Sequence, residues 1–233
     1  MDETTRLNKY LALRLGIARR EADELIEQDK VTVNQLTARL GTRVKADDEV
    51  RVDGKLLATP RQLEYLLLHK PVGYVCSRRA QGETPTIYEL IPEKYHHLKP
   101  VGRLDKDSSG ILLLTNDGDF AFTMTHPQFQ KVKVYEVTLD HALAPLHQQM
   151  ISDFGVMLPD GKSQLELERL TDSRLDWRIT MKEGRNRQIR RTFGALGYTV
   201  TMLHRTHFGR YQLGDLASGE FRLLEDTPAS TQR

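Results

Sequence analysis

Two short apolar runs limit the fold most strongly: Tyr65-Leu66-Leu67-Leu68 and Ile111-Leu112-Leu113-Leu114. Neither is long enough for a helix and neither alternates, so each reads as a buried strand. Further strand patterns lie at Val134–Leu139, Leu165–Leu170, Trp177–Met181 and Thr199–His204, and the second run extends to Thr115. Helical patterns interrupt them near residues 117–125, 143–153 and 186–196. Strands and helices in this irregular order predict an α+β domain with a mainly antiparallel mixed sheet and flanking helices. A doubly wound parallel fold would alternate regularly.

A smaller pattern precedes this one. Leu7, Tyr10, Leu11 and Leu15 recur at helical spacing over residues 6–15, and Gly16 supplies a stop. Residues 18–29 read as a second helix with Ala22, Leu25 and Ile26 on one face. Val31–Asn34 reads as a short strand, and Val44, Val50 and Val52 follow around the acidic turn Ala46-Asp47-Asp48-Glu49. Asp53-Gly54 signals a tight turn. The pattern breaks at Thr59-Pro60, which predicts a small αβ module over residues 6–58 and a larger domain over 63–226. The tail Asp226–Arg233 is expected to fray.

Composition closes off several classes. No run of about 18 uncharged apolar residues exists, so no membrane span is expected. Asp2, Glu3, Arg6, Lys9 and Arg14 are incompatible with an ordinary secretory signal. Cys76 is the single cysteine, which excludes an internal disulfide and a cysteine-rich zinc site and fits a reducing cytoplasm.

Positive charge is concentrated. Residues 183–210 hold six arginines against one acid, Glu183, leaving 28 basic and 31 acidic residues elsewhere. That points to a polyanionic partner; the plain alternative is a solvated helix face. In the small module, Arg19 and Arg20 open the second helix, where the helix dipole disfavours cations. With Arg6 and Lys9 they could form a phosphate-facing patch, although residues 1–60 balance eleven basic against eleven acidic residues.

The loop Gly102-Arg103-Leu104-Asp105-Lys106-Asp107-Ser108-Ser109-Gly110 precedes the second apolar run. If it is extended, Asp105 and Asp107 point in opposite directions, one inward and one to solvent. A carboxylate beside a buried strand needs a cation to stay ionised, and the arginine-rich segment is the best source. A turn in which Asp and Ser only bond backbone amides is the simpler reading. In the last helix pattern, Ile189, Phe193 and Leu196 form the apolar stripe, with Arg190 at its edge and Arg187 and Arg191 more exposed.

Arg6-Leu7-Asn8-Lys9-Tyr10-Leu11, Arg19-Arg20-Glu21-Ala22 and Val31-Thr32-Val33-Asn34 resemble the S4 RNA-binding domain, as does Gly41–Lys45 before Asp47-Asp48-Glu49-Val50. Gln35 stands where glycine often follows, which implies a wider turn there. Gly102-Arg103-Leu104-Asp105 with Ser108-Ser109-Gly110 resembles the signature of pseudouridine synthases. Lys133-Val134-Tyr135 and Glu183-Gly184-Arg185-Asn186-Arg187-Gln188-Ile189-Arg190-Arg191 resemble that family's second and third motifs, and Leu68–Tyr74 its opening strand and turn. With the S4-like module in front, the resemblance is to the ribosomal-RNA branch typified by RsuA. It covers residues 6–225.

The resemblance implies isomerisation of a uridine in ribosomal RNA or a pre-ribosomal particle, without cofactor or metal, by a cytoplasmic monomer. Asp105 would be the essential carboxylate, attacking the sugar C1′, removing a proton from C2′ or attacking the uracil ring. Arg190 would be its guanidinium partner. Tyr135 would pack on the uracil and could assist proton removal from C5. Arg103 would fill the space left by the flipped nucleotide or hold its phosphate. Arg185, Arg187, Arg191, His204 and Arg205 would track the RNA backbone, with Arg6, Lys9, Arg19 and Arg20 adding a second contact. The competing classes are a non-catalytic RNA-binding assembly factor and a nucleoside glycosidase. The latter wants two acids across the bond and has little use for the basic segment.

Overall fold

The computed structural model describes residues 4–45, 47–57, 62–78 and 82–224. The proposed break at Thr59-Pro60, Ala46 of the acidic turn and the tail beyond Leu224 lie outside these. The chain divides into two compact units, residues 1–63 and 64–233.

In the first unit, helices Leu7–Leu15 and Arg19–Glu27 are separated by three residues, with Gly16 left-handed at φ 72°. Leu7, Leu11, Ala22 and Ile26 bury against Val31, Ala38, Val44 and Val50. A small antiparallel sheet runs Leu36–Thr37, Val31–Val33, Val50–Val52, Lys55–Leu56. The turn at Asn34 and Gln35 is not wider than usual. Val33 pairs directly with Leu36, and both intervening residues adopt positive φ, 49° and 68°. Two left-handed residues make the tight hairpin turn whose twist matches the strands. The Asn34 side chain helps hold it, donating to Asp48 Oδ1 and accepting from Glu49 N–H, both at 2.9 Å.

In the second unit, among the described residues, seven strands lie in the order Glu166–Arg169, Asp176–Met181, Lys133–Leu139, Val200–Phe208, Ser109–Thr115, Tyr65–Lys70, Phe221–Leu223. Neighbours along this order are antiparallel except at the centre, where Val200–Phe208 runs parallel to Ser109–Thr115. The α+β mixed sheet with mainly antiparallel pairing is therefore the observed architecture. The two apolar runs pair with each other and are covered on both faces. Leu66, Leu68, Leu112 and Leu114 pack with Ile87, Tyr88 and Leu98. Tyr65, Leu67, Ile111 and Leu113 pack on the other face with Phe120, Met124 and Phe208. Double-sided burial explains why neither run alternates. The far half of the sheet packs Trp177, Ile179 and Val137 against Phe193 and Ile189.

Two expected elements differ. The 143–153 helix is a short α-helix, Pro145–Gln149, running into a π-helical turn, Met150–Phe154. The Thr199–His204 strand continues to Phe208, so Arg205 and His207 belong to the sheet.

The central parallel pair brings Gly110 directly against Arg205. Gly110 has φ 113°, and a Cβ built there would sit 2.1 Å from the Arg205 carbonyl oxygen. Beneath the same loop lies Lys70, which is fully buried. Its ammonium donates to the carbonyls of Pro71 (2.9 Å), Asp105 (3.0 Å) and Ser108 (2.7 Å). Burial pulls its pKa down to about 8, despite the favourable charges of Asp105 and Asp107.

Two outcomes follow. Gly110→Ala has to separate the central strands, so the second unit should lose most of its soluble yield and unfold at a markedly lower temperature. An unchanged melting temperature would mean the strands give way easily. Lys70→Met keeps the length but orphans three carbonyls, each at about 1–3 kcal/mol, offset by removal of the buried charge, for a net loss on the order of 2 kcal/mol. The sign of the pH dependence is also set. The folded pKa lies below the ordinary 10.5, so the unfolded chain binds more protons between pH 8 and 10.5. The stability advantage of wild type over Lys70→Met should widen across that window in thermal melts.

Candidate active site

The loop from Gly102 to Gly110 is held almost entirely through its main chain. Leu104 exchanges contacts with Cys76, donating N–H to Sγ at 3.4 Å and accepting from Sγ at 3.3 Å. Gly73 N–H donates to the Lys106 carbonyl at 2.7 Å. Lys70 holds the Asp105 and Ser108 carbonyls. The Ser108 N–H donates to the Asp105 carbonyl at 3.1 Å, closing a turn. The carboxylate of Asp105 is therefore not needed to shape the loop. The turn also corrects the expectation that they point apart. A single guanidinium reaches both: Arg187 Nη1 lies 3.6 Å from Asp105 Oδ2 and 3.1 Å from Asp107 Oδ1.

The arginines come from the entry to the helix Gln188–Gly194. Gln188 is buried and donates to Ser163 Oγ at 3.1 Å and to Glu183, while Thr192 and Ser163 bond at 2.7 Å. With Ile189 and Phe193 in the core, this pins the start of the helix. Arg187 precedes it in the left-handed region at φ 45° and grips Asp107 with both terminal nitrogens, at 3.1 and 3.2 Å.

Arg190 does not pair with Asp105 as expected. Its Nε lies 3.4 Å from Asp107 Oδ2, and its terminal nitrogens donate to the carbonyls of Asp107 (2.8 Å) and Val200 (2.6 Å). The turn presents Asp107, not Asp105, to the helix edge. Burial works to raise the Asp107 pKa, but the Arg187 hydrogen bonds and the Arg190 charge hold it below the usual carboxylate range. Arg187 thus takes the place beside Asp105 assigned to Arg190.

The other arginines are also more committed than the sequence suggests. Arg191 forks onto Asp160 at 3.0 and 2.7 Å, and Arg185 bonds the same residue and the carbonyls of Gly161 and Lys162. Arg205 is buried, donates twice to the Ile111 carbonyl at 3.0 and 2.7 Å, and lies over the Phe208 ring at 4.7 Å. It belongs to the inner wall of a cavity and not to an RNA-tracking surface. His204, one residue earlier in the strand, is turned to the other face, where its Nδ1 meets Ser109 Oγ at 2.9 Å and its ring lies edge-on to His69. Burial and the neighbouring His69 lower its pKa.

Asp105 sits on a ridge between two cavities. One, about 400 Å³, is lined by Arg103, Tyr135, Lys133, Ile189, Leu203 and Arg205 among others. The second, about 680 Å³, lies between the loop and residues 72–77, and shares Arg103, Leu104, Asp105 and Arg187 with the first. Tyr135 is buried, as its strand pattern implies. Arg103 is exposed, with no ion-pair partner among the described residues. Lys133 was quoted in a motif but not assigned a role. Its ammonium is half-buried in the first cavity, 3.4 Å from the Glu183 carbonyl, and burial lowers its pKa. Lys70 enters the sequence reading only within the Leu68–Tyr74 resemblance, and Met124 and Thr125 only within a helical pattern, none of them with a role at the site. A lysine two residues beyond a buried apolar run is the available signal for Lys70. In the first unit, Arg6, Arg19 and Arg20 are exposed at the N-terminal ends of their helices, and Lys9 is partly buried.

Similarity to known proteins agrees with this geometry. Residues 5–50 match the S4 domain and residues 64–195 match RNA pseudouridylate synthase. Ribosomal small subunit pseudouridine synthase A of Pasteurella multocida is 37% identical over 97% of this chain and 98% of that protein. Ribosomal large subunit pseudouridine synthase B of Bacillus subtilis is 34% identical over 98% of this chain and 94% of that protein. A solved pseudouridylate synthase superposes with a TM-score of 0.67 at 33% identity, covering 94% of this chain and 95% of that one. A carboxylate loop, an arginine-bearing helix and a buried tyrosine around one cavity, behind an S4 domain and with relatives matched along nearly their whole length, place this chain in the RNA pseudouridine synthase family.

Proposed function

We propose that this protein isomerises a specific uridine in ribosomal RNA to pseudouridine, with Asp105 as the acting carboxylate. The observation that carries the reading is the Asp105 carboxylate at the mouth of a cavity that also holds Tyr135, its turn being held by bonds to backbone carbonyls that leave this carboxylate free of a shaping role. The relatives' names support ribosomal RNA as the substrate class. The reaction breaks N1–C1′, forms C5–C1′, and moves the C5 proton off the ring while N1 gains one. Substrate and product are isomers, so the chain needs no external group or redox partner.

Asp105 is 30% exposed on its side chain and lies beside a guanidinium, so it can meet a sugar or base without leaving its charge unpaired. Attack at C1′ and proton removal at C2′ place it at the same sugar edge. Tyr135 offers an aromatic face to the uracil, and its hydroxyl is suited to take part in moving the C5 proton. Arg187 and Arg190, anchored on Asp107, keep positive potential at the mouth where a phosphate passes. A uridine within a stem has to be flipped out to enter, at a cost of a few kcal/mol. Arg103 stands exposed at the rim of both cavities, where it can fill the vacated position or hold the flipped nucleotide's phosphate. The S4 unit, through Arg6, Lys9, Arg19 and Arg20, supplies a second RNA contact, and the protein works as a monomer.

Asp105→Asn should abolish pseudouridine formation in rRNA transcripts while RNA affinity stays within a few-fold. Substantial turnover by a verified preparation would remove Asp105 from the chemistry. Asp107→Asn, which loosens Arg187 and Arg190, should slow the reaction on the order of ten-fold and lower the melting temperature, because charge-assisted bonds are roughly twice as strong as neutral ones. For the S4 unit, Arg19→Ala with Arg20→Ala in the full-length protein should lower the magnitude of the log–log salt slope of RNA binding by roughly 1.4 to 1.8, at 0.7 to 0.9 per phosphate contact. An unchanged slope would make that helix end a spacer.

A further inference from the structure

The segment that walls the first cavity with Thr125, His126 and Pro127 also carries a cluster of exposed rings. In the helix Gly118–Thr125, Phe120 and Met124 are buried in the core. Phe122 is turned outward and 49% exposed, and Phe129, in the following turn Pro127–Phe129, is 38% exposed. His126 lies between them. Its ring centroid is 4.6 Å from that of Phe122 and 6.4 Å from that of Phe129, and the two phenylalanines meet edge to face at 5.7 Å. His126 is extended (φ −71°, ψ 132°) between the helix and the turn, and the chain reversal there, shown by the ring contacts, gathers all three side chains into one cluster.

Scattered exposed apolar residues are ordinary, but three rings in mutual contact beside a catalytic mouth form a patch. The charge around it selects the occupant. Lys131, two residues beyond Phe129, lines the same cavity, as does Arg103, and neither has an acidic partner among the described residues. Aromatic faces beside unpaired cations are how proteins hold single-stranded nucleic acid, where every base offers a face for stacking. The core of a protein interface is instead depleted in lysine. We propose that Phe122, His126 and Phe129 form a stacking platform for an unpaired nucleotide adjacent to the target uridine, with Lys131 on its phosphate. This rests on the pseudouridine synthase reading. A nucleotide next to a flipped uridine has lost a stacking neighbour, and the platform replaces it at the point where the strand leaves the cavity.

The test uses full-length protein and unmodified small- and large-subunit rRNA transcripts, scored for pseudouridine by chemical mapping. Phe122→Ala with Phe129→Ala should raise KM about ten-fold and leave kcat within a few-fold, since stacking is lost but the cavity is not. Phe122→Tyr with Phe129→Tyr should keep the wild-type KM, whereas Phe122→Leu with Phe129→Leu should behave like the alanine pair. An unchanged KM in the alanine pair overturns the proposal. So does full rescue by leucine, which would make the patch a generic apolar surface for a protein partner. If the wild-type protein forms no pseudouridine, the function proposed above fails on its own. Equilibrium binding of the same transcripts then decides: an affinity about ten-fold weaker in the alanine pair sustains the platform, and an unchanged one removes it.

Discussion

A single buried ammonium organises the catalytic unit. Lys70 ends a strand whose residues 65–68 are apolar and buried on both faces, and among the described residues no carboxylate lies in its own hydrogen-bond shell. Three carbonyls share its charge instead. Burying a cation this way is costly, as the fall of its pKa to about 8 records. The return is geometric: two of the three carbonyls belong to the turn that carries Asp105 and Asp107. A carboxylate partner would have neutralised the charge more cheaply but would have left the turn's carbonyls unsatisfied. Because the turn is fastened from beneath through its backbone, the Asp105 side chain remains available above it, while Asp107 is left to hold Arg187 and Arg190.

The arginine-rich segment divides along similar lines. Arg185 and Arg191 close on Asp160, and Arg187 and Arg190 on Asp107, while Arg205 is sunk against the Ile111 carbonyl. Most of the local charge seen in the sequence is therefore absorbed within the unit. Its electrostatic work is to fix the helix Gln188–Gly194 to the carboxylate turn and the Gly161–Ser163 strand. The cations facing outward at the cavity include Arg103, Lys131 and Lys182, all outside the 183–210 stretch that a charge count picks out. A charge cluster in sequence marks a place where charges meet, and only coordinates say whether they meet each other or solvent.

The α+β architecture and the burial of the two apolar runs were legible because burial on both faces leaves no other composition for those strands; that the runs pair with each other is set by the fold and was not. The motif-bearing residues Asp105 and Tyr135 were legible as a set, and the structure lines one cavity with both. What was not legible was the exact partner wherever contacts distant in sequence choose it. Strand alternation suggested opposed carboxylates, but a turn closed by Ser108 and Lys70 brought both within reach of Arg187. Helical geometry put Arg190 at the edge of a cleft correctly, yet the carboxylate waiting there was Asp107. His204 and Arg205 looked alike as basic residues in a basic stretch. Extension of their strand to Phe208 sends one to each face, and only Arg205 reaches the cavity. Gln35 shows the same limit on a small scale, since a left-handed glutamine is tolerated where the cross-strand register and the Asn34 bonds demand it.

The position of the cavity follows from the one parallel pairing between strands among the described residues of the sheet. Antiparallel neighbours carry their loops to alternate ends, so adjacent loops rarely converge. At the parallel pair, Ser109–Thr115 and Val200–Phe208 run the same way, and the turn entering the first lies beside the helix entering the second. That places the carboxylates of residues 105 and 107 next to the arginines of residues 187 and 190 without a long excursion of either segment. Ligand sites at the reversal point of parallel sheets arise for the same reason, a gap left where connections part to opposite sides. Here the gap is bridged by ion pairs on one side and floored by Arg205 and Tyr135 on the other. Gly110 is where the two strands come closest, and its missing Cβ lets the Arg205 backbone approach. The close approach that the sheet needs and the juxtaposition that the site needs are therefore one feature of the fold.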